Sequence, residues 1–209
     1  MKILTSLYRT ITGFLRALRA NRQLRHDLHA AANGTQPIRM IVGSSYLRQE
    51  GWVHSDVQVL DVTREADWRV YFQPSTISAI MAEHVWEHLT ADQALQGARN
   101  CLTFLKPGGY FRIAVPDGLF PDPEYIERVK VGADDHQVLY TYKTLSQVLE
   151  QAGFEVTLLE YFDENGTLHA QDWDAGMGVI RRSKRHDPRN QGEKLGYTSI
   201  IIDAIKPTV

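Results

Sequence analysis

Residues 105–115 read Leu-Lys-Pro-Gly-Gly-Tyr-Phe-Arg-Ile-Ala-Val, and this stretch decides the fold. Before it, apolar residues recur at helical spacing over residues 90–105, which predicts an amphipathic helix. Pro107 forbids continuation of that helix, and the two glycines after it supply positive φ angles where the chain must reverse. The apolar run that follows is predicted to be a buried strand, ending in a Pro-Asp-Gly turn that leaves Asp117 at the strand's carboxyl end.

Strand and helix patterns alternate along the chain, which predicts a doubly wound, mostly parallel α/β sheet with helices on both faces. A long irregular stretch, residues 161–197, precedes the last strand. We therefore expect the last strand to be antiparallel and inserted at an edge of the sheet. Strands are predicted at residues 38–42, 52–57, 58–62, 77–82, 110–115, 154–161 and 198–205, and helices at 91–105 and 144–152.

Composition fits one globular domain of 209 residues. A single cysteine, Cys101, excludes a disulfide framework and a cysteine-based zinc site, and favours a reducing compartment such as the cytoplasm. No apolar run approaches the roughly 18 residues that a membrane-spanning helix needs.

The N-terminus is a basic arm, predicted as residues 1–37 and separated by a polar loop from a domain at residues 38–209. Residues 1–39 contain seven Lys or Arg and one acid, whereas the rest carries 16 basic and 24 acidic side chains, a net charge of −8. That acidic core argues against a nucleic-acid partner. The arm's apolar stripe is expected to pack on the domain or on a second copy, or to lie on an anionic membrane; an organelle presequence is a further alternative. The stripe comprises Leu4, Leu7, Tyr8, Ile11, Phe14, Leu15 and Leu18.

Four motifs support a family resemblance: Glu-His-Val-Trp-Glu-His-Leu at 83–89, Leu-Lys-Pro-Gly-Gly at 105–109, Ala-Val-Pro-Asp at 114–117 and Ala-Gly-Phe-Glu-Val at 152–156. In order and spacing the chain resembles the class I S-adenosylmethionine-dependent methyltransferases, in particular a compact subgroup of small predicted methyltransferases. The resemblance covers residues 38–206. It implies a Rossmann-like seven-stranded sheet and S-adenosylmethionine as cofactor. No sequence feature identifies the acceptor, which we expect to be a small molecule, and we expect no metal.

The resemblance also implies where the cofactor lies, at the carboxyl ends of the first four strands. The first motif departs from the family pattern, because Ile-Val-Gly-Ser-Ser at residues 41–45 has one glycine and no preceding acid. The span 43–52 is also short for a crossover helix. The residues implied are Gly43 and Ser44 beside the methionine part, Asp56 at the ribose, Asp61 or Val62 at the adenine, and Glu83 and His84 on the cofactor and substrate side.

Methyl transfer needs an oriented acceptor and, for a hydroxyl or amine, a base that takes its proton. His136 is the preferred base, because it follows the fifth strand, where this family builds its acceptor pocket. Asp117, His84, His88 and Asp135 are the other candidates. The basic residues at 181–189 are a candidate clamp for an acidic acceptor group.

Two other functions are compatible with the sequence. His84, Glu87 and His88 fit the His-x-x-Glu-His pattern of zinc hydrolases, in which two histidines lie one helical turn apart. Alternatively, the fold persists as a binding or scaffold module whose reduced first motif no longer holds the cofactor.

Overall fold

The computed structural model describes residues 18–45, 47–190 and 195–208. Seven strands form one sheet: β1 Ile38–Val42, β2 Val53–His54, β3 Ile77–Glu83, β4 Leu105–Pro116, β5 Glu155–Phe162, β6 Leu168–Ala170 and β7 Ser199–Ile205. The helices are α1, described over residues 18–32, α2 Glu65–Arg69, α3 Ala91–Phe104, α4 Pro123–Val129 and α5 Tyr142–Ala152. Short 3-10 turns occupy Trp86–His88, Ala133–Asp135 and Ala175–Met177.

The predicted reversal between helix and strand is present at the end of α3. The strand β4 begins at once, with Leu105 opposite Ile77, but the next pair joins Tyr110 to Ala79. The Lys-Pro-Gly-Gly residues between them bulge out of the pairing. Gly108 has the expected positive φ, +73°. Gly109 does not; it is required because a Cβ there would lie 2.9 Å from the Lys106 carbonyl oxygen.

Strand order across the sheet is β2-β1-β3-β4-β7-β5-β6, and the first four of these strands are parallel. The last strand, β7, is antiparallel as predicted. Its predicted position at an edge is wrong, because β7 hydrogen-bonds to β4 on one side and to β5 on the other. The edge is formed by β6, a short strand inside the stretch predicted as irregular.

Helices cover one face of this sheet. Buried residues of α1, α2, α3 and α5 share a single apolar cluster with one set of strand residues. The remaining helix, α4, packs through Tyr125 and Val129 in a separate apolar cluster with Phe162 of β5. Between β1 and β2, ten residues make a connection too short for a helix to cover the sheet.

A non-helical segment covers the opposite face. Trp52 and Ile180 pack there against Ile41 and Met81, with Trp173 beside them. The irregular stretch after β5 thus supplies part of the core.

A buried ion pair fixes this segment to the sheet. Arg112 of β4 donates two hydrogen bonds to Asp203, its partner on β7, at 2.7 and 2.8 Å. Its remaining terminal nitrogen donates to the carbonyl oxygens of Asp174 and Gly178 at 3.0 and 2.7 Å. Four of the five N–H groups of this buried guanidinium therefore donate hydrogen bonds.

Two predicted strands near the start of the sheet are shorter or absent. The strand predicted at residues 52–57 is reduced to Val53–His54. Residues 58–62 form turns, because the amides of Val59 and Leu60 donate to the Asp56 carbonyl oxygen and coil the chain.

The described part of the predicted arm packs on the sheet domain. Leu28 of α1 is fully buried, and the His29 ring lies 5.0 Å from the ring of Tyr71. Leu18 is exposed, and the rest of the predicted stripe lies outside the described residues. No described helix is both long and apolar enough to cross a membrane. The boundary at residue 37 stays a prediction.

Glu160 of β5 makes the stability of this fold depend on pH. Its carboxylate accepts hydrogen bonds from the Lys184 amide and the Thr198 hydroxyl. Burial raises the pKa of Glu160 to about 7 from its usual 4.5. Because the pKa is higher in the folded chain, the contribution of Glu160 to stability is fully present below about pH 4.5 and is lost as the pH rises through about 7.

We expect Glu160→Gln to flatten the dependence of the free energy of unfolding on pH. Between about pH 5 and pH 8 the free energy of unfolding of the wild type should fall by up to ~3 kcal/mol more than that of the variant, as measured by urea denaturation. Glu155→Gln, at an exposed position of the same strand, is the control and should keep the wild-type slope. A wild-type slope in Glu160→Gln would contradict the assignment.

Candidate functional site

Two adjoining clefts open at the carboxyl ends of the parallel strands. The larger, about 290 Å³, is mostly apolar, and the smaller, about 170 Å³, is polar. Gly43, His84 and His88 line both, so the clefts meet at these residues. The apolar cleft is lined further by Asp56, Val57, Leu60, Asp61, Val62, Val85 and Leu89. The polar cleft is lined further by Ser44, Ser45, Leu47, Glu83, Glu87, Asp134, His136 and Arg182.

Gly43 ends β1 with a left-handed backbone, φ +59°. A Cβ at this position would lie 2.5 Å from a methyl group of Val85. Glycine is therefore required at this position because a side chain would clash with Val85. It also leaves the backbone open to close approach by a ligand. The neighbouring Ser44 is buried, and its amide donates to the Ser55 carbonyl oxygen at 2.8 Å. This bond ties the loop after β1 to the loop after β2.

Asp56 follows β2 and is half-buried at the wall of the apolar cleft. One carboxylate oxygen accepts the Ser45 amide at 3.1 Å and the other the Val57 amide at 2.8 Å. A carboxylate offers about four lone-pair positions, so two remain for hydroxyl donors. Asp56 is thus fixed in orientation and still able to bind a diol.

The next turn brings Asp61 and Val62 into the same cleft. Asp61 accepts hydrogen bonds from the Thr63 amide and hydroxyl at 2.9 and 2.8 Å. The Val62 carbonyl oxygen accepts from Asn100 of α3 at 2.8 Å and from the Trp68 indole at 3.2 Å. Buried side chains therefore hold this wall rigidly.

Glu83, at the end of β3, faces inward to the backbone of a distant segment. Its two oxygens accept the amides of Arg181 and Arg182 at 3.0 and 2.9 Å. The Arg182 guanidinium lies 3.7 Å from the same carboxylate and lines the polar cleft. Arg182, one of the basic residues predicted as a clamp, therefore lies at the site, where Glu83 holds its backbone.

His84 lies where the two clefts meet and has a left-handed backbone, φ 57°. The Ser199 hydroxyl donates to the Arg182 carbonyl oxygen at 2.7 Å, so it accepts from His84 Nε2 at 3.0 Å. His84 Nδ1 lies 3.0 Å from a carboxylate oxygen of Glu87. Within the described residues, Nε2 is therefore the ring nitrogen of His84 that makes a hydrogen bond.

His136 is buried in the wall of the polar cleft. Its Nδ1–H donates to the Val129 carbonyl oxygen at 2.9 Å, which leaves Nε2 with a lone pair. The ring centroid of His88 lies 5.0 Å away. Of the three histidines at the site, His136 has the tautomer that a base or a metal ligand needs.

Asp117 does not reach the clefts. It is fully buried, and its carboxylate accepts the amides of Leu119 and Phe162 at 2.9 and 2.7 Å. Burial raises its pKa to about 6. The predicted role as a base is therefore wrong: Asp117 braces the turn after β4 against β5.

Unusual backbone angles concentrate around the polar cleft. Five described residues other than glycine have positive φ, and three of them, Ser45, His84 and Asp134, line this cleft. Such angles cost energy and persist where the surrounding structure holds them in place, often at functional sites.

The family of the chain follows from its sequence as a whole. Residues 15–159, more than two thirds of the chain, match a family model described as a methyltransferase domain. The chain belongs to this methyltransferase family. It is a class I methyltransferase, an enzyme class whose cofactor is S-adenosylmethionine.

Solved structures with a similar fold include two S-adenosylmethionine-dependent methyltransferases. One, from Archaeoglobus fulgidus, is 17% identical, with 90% of this chain and 93% of that chain covered and a TM-score of 0.49. The other, from Thermotoga maritima, is 13% identical, with coverages of 95% and 96% and a TM-score of 0.49. No curated protein matches this chain.

The geometry differs from the zinc-hydrolase pattern. That pattern needs both histidines on one helix, whereas His84 ends a strand and only Trp86–His88 form a single 3-10 turn. The clefts also hold residues to which the methyltransferase resemblance assigned no role, among them Val85, which covers Gly43, Ser45 and Glu87. The sequence did indicate that Glu87 could lie at a site, because it stands between His84 and His88.

We expect Glu83→Gln to loosen the segment that Glu83 holds. The amide side chain keeps one acceptor oxygen, so one backbone donor loses its partner. Hydrogen exchange at Arg181 and Arg182, followed by mass spectrometry, should accelerate about tenfold. Exposed Glu124→Gln is the control, with no change expected there. Unchanged exchange combined with weaker S-adenosylhomocysteine binding would instead place Glu83 against the ligand.

Proposed function

We propose that this methyltransferase binds the adenosyl part of its cofactor in the apolar cleft and a small-molecule acceptor in the polar cleft. The observation that carries the proposal is the junction of the two clefts at Gly43, His84 and His88. A donor in one cleft and an acceptor in the other would meet there. In-line methyl transfer depends mainly on such an alignment, in a site shielded from water.

The residues of the apolar cleft fit this cofactor. Asp56 has acceptor positions left for the ribose hydroxyls, as argued above. The apolar walls, with Asp61 and Val62, suit the face and edge of an adenine ring. Gly43 and Ser44 lie toward the polar cleft, on the side proposed for the methionine part. Bound there, S-adenosylmethionine supplies an electrophilic methyl group on a sulfonium centre.

On the acceptor side, His136 is the proposed group that activates a hydroxyl or amine. Its Nε2 lone pair is preserved by the bond from Nδ1 to Val129. His84 and Glu83 support the site indirectly, since their polar atoms are already engaged with Ser199 and the Arg181–Arg182 backbone. Arg182 would favour an acceptor with a negative charge.

The proposal also includes the acceptor class, the partners and the location. The acceptor is a small molecule and nucleic acid is not a partner, given the acidic core. The basic N-terminal segment is proposed to contact a second copy or a membrane surface, and the cytoplasm is the proposed location. The scaffold function remains the alternative.

Calorimetric titration with S-adenosylmethionine and S-adenosylhomocysteine tests the cofactor site. We expect one site per chain. Asp56→Ala should weaken binding roughly 10- to 100-fold, because it removes a charged acceptor of hydrogen bonds. Binding by Asp56→Ala as tight as that of the wild type would place the ribose elsewhere.

Gly43→Ala offers a second test of the same site. Its methyl group would displace Val85 at the junction of the clefts, and we expect at least about tenfold weaker binding. Gly51→Ala is the matched control: Gly51 also has a positive φ, +75°, but nothing lies within 4 Å of its Cβ position. Thermal melting checks that both variants fold. No binding of either ligand by the folded wild type would favour the scaffold alternative.

A further inference from the structure

We infer that Glu87, His88 and His136 form a binding site for a divalent first-row transition metal on the acceptor side of the cleft. One potential ligand atom from each residue lies within 4.8 Å of the other two. Bonds of about 2.0–2.2 Å to one ion require atoms at most roughly 4.3 Å apart. His88 is the exposed member of the set, so its side chain has room to adjust toward the two buried ligands.

Glu87 is a buried carboxylate whose acceptor positions a bound cation would occupy. Its side chain is 1% exposed, and neither carboxylate oxygen has a hydrogen-bond partner within the described residues. One oxygen lies 3.0 Å from His84 Nδ1, an ion-pair distance without hydrogen-bond geometry. A buried carboxylate without partners is costly unless it is paired or coordinates a metal. The polar cleft, which Glu87 lines, is where such an ion would lie.

His136 is prepared as a ligand. The Val129 carbonyl oxygen holds the proton on Nδ1 and so leaves Nε2 unprotonated. Metal-binding histidines almost always show this arrangement, in which the second nitrogen donates to a carbonyl or carboxylate.

The backbone holds two of the three residues together. The Glu87 carbonyl oxygen accepts the amides of Gln137 and Val138 at 2.7 and 3.2 Å, directly after His136. Ligands from positions about fifty apart in sequence are therefore fixed before any ion binds. This preorganisation reduces the entropy cost of binding.

The donor set suggests the metal and its use. Two imidazoles and one carboxylate suit Zn²⁺, Fe²⁺, Co²⁺ or Mn²⁺, and leave coordination positions open. Glu87, His88 and His136 all line the polar cleft, so an acceptor oxygen bound there would complete the coordination. This part rests on the proposed function: a metal held by His136 Nε2 would lower the pKa of an acceptor hydroxyl, which would then release its proton to water and not to His136.

Titration of the full chain with Co²⁺ tests the site, after removal of any affinity tag and treatment with a chelator. We expect one Co²⁺ per chain and visible d–d absorption bands. Glu87→Gln and His88→Ala should each weaken binding at least tenfold. His88 is exposed, so its variant should fold even where a change at buried Glu87 does not. His169→Ala, an exposed histidine paired with Asp163, is the control and should bind like the wild type.

Three outcomes decide the proposal. No stoichiometric Co²⁺, or equal affinity in His88→Ala and the wild type, overturns it. With S-adenosylhomocysteine bound, acetohydroxamate should shift the d–d bands; unchanged bands would show a closed site and overturn the acceptor role. Titration of the metal-free protein with S-adenosylhomocysteine keeps the two proposals apart, because the cofactor cleft is expected to bind whether or not the metal site does.

Discussion

The candidate site depends on a buried arginine that does not touch it. Arg112 pairs with Asp203 across two adjacent strands and holds the carbonyl oxygens of Asp174 and Gly178. Removing one partner from such a pair leaves an uncompensated buried charge, typically at a cost of about 3–5 kcal/mol. The pair therefore fixes the segment that packs on the sheet face opposite α1, α2, α3 and α5. A few residues later, the amides of Arg181 and Arg182 in the same segment donate to Glu83. Arg182 also lines the polar cleft.

The parts of the fold that were predicted correctly have local causes. Gly153 ends α5 with a left-handed φ of +106°, and Gly108, in the bulge near the start of β4, has a φ of +73°. The short connection after β1 was also visible in the sequence. The position of β7 between two strands could not be predicted, because it rests on pairs such as Arg112 with Asp203, which lie about ninety positions apart.

For the site, the family resemblance was most useful where spacing fixes a strand end. Gly43, Asp56, Asp61, Val62 and His84 all line the apolar cleft. Glu83 and Asp117 were also placed correctly at strand ends, yet both turn toward backbone amides of distant segments. Sequence spacing gives the position of a carboxylate but not the donor that it meets, since that donor belongs to another part of the chain.

The two clefts differ in how far folding alone explains them. The apolar cleft has walls held by ordinary packing and by satisfied hydrogen bonds, such as that from Asn100 to Val62. Around the polar cleft the chain keeps three left-handed residues and a buried, unpartnered Glu87. Each such feature costs on the order of 1–3 kcal/mol. Since a sequence shaped only for stability would remove them, the polar cleft is where ligand binding best explains the arrangement.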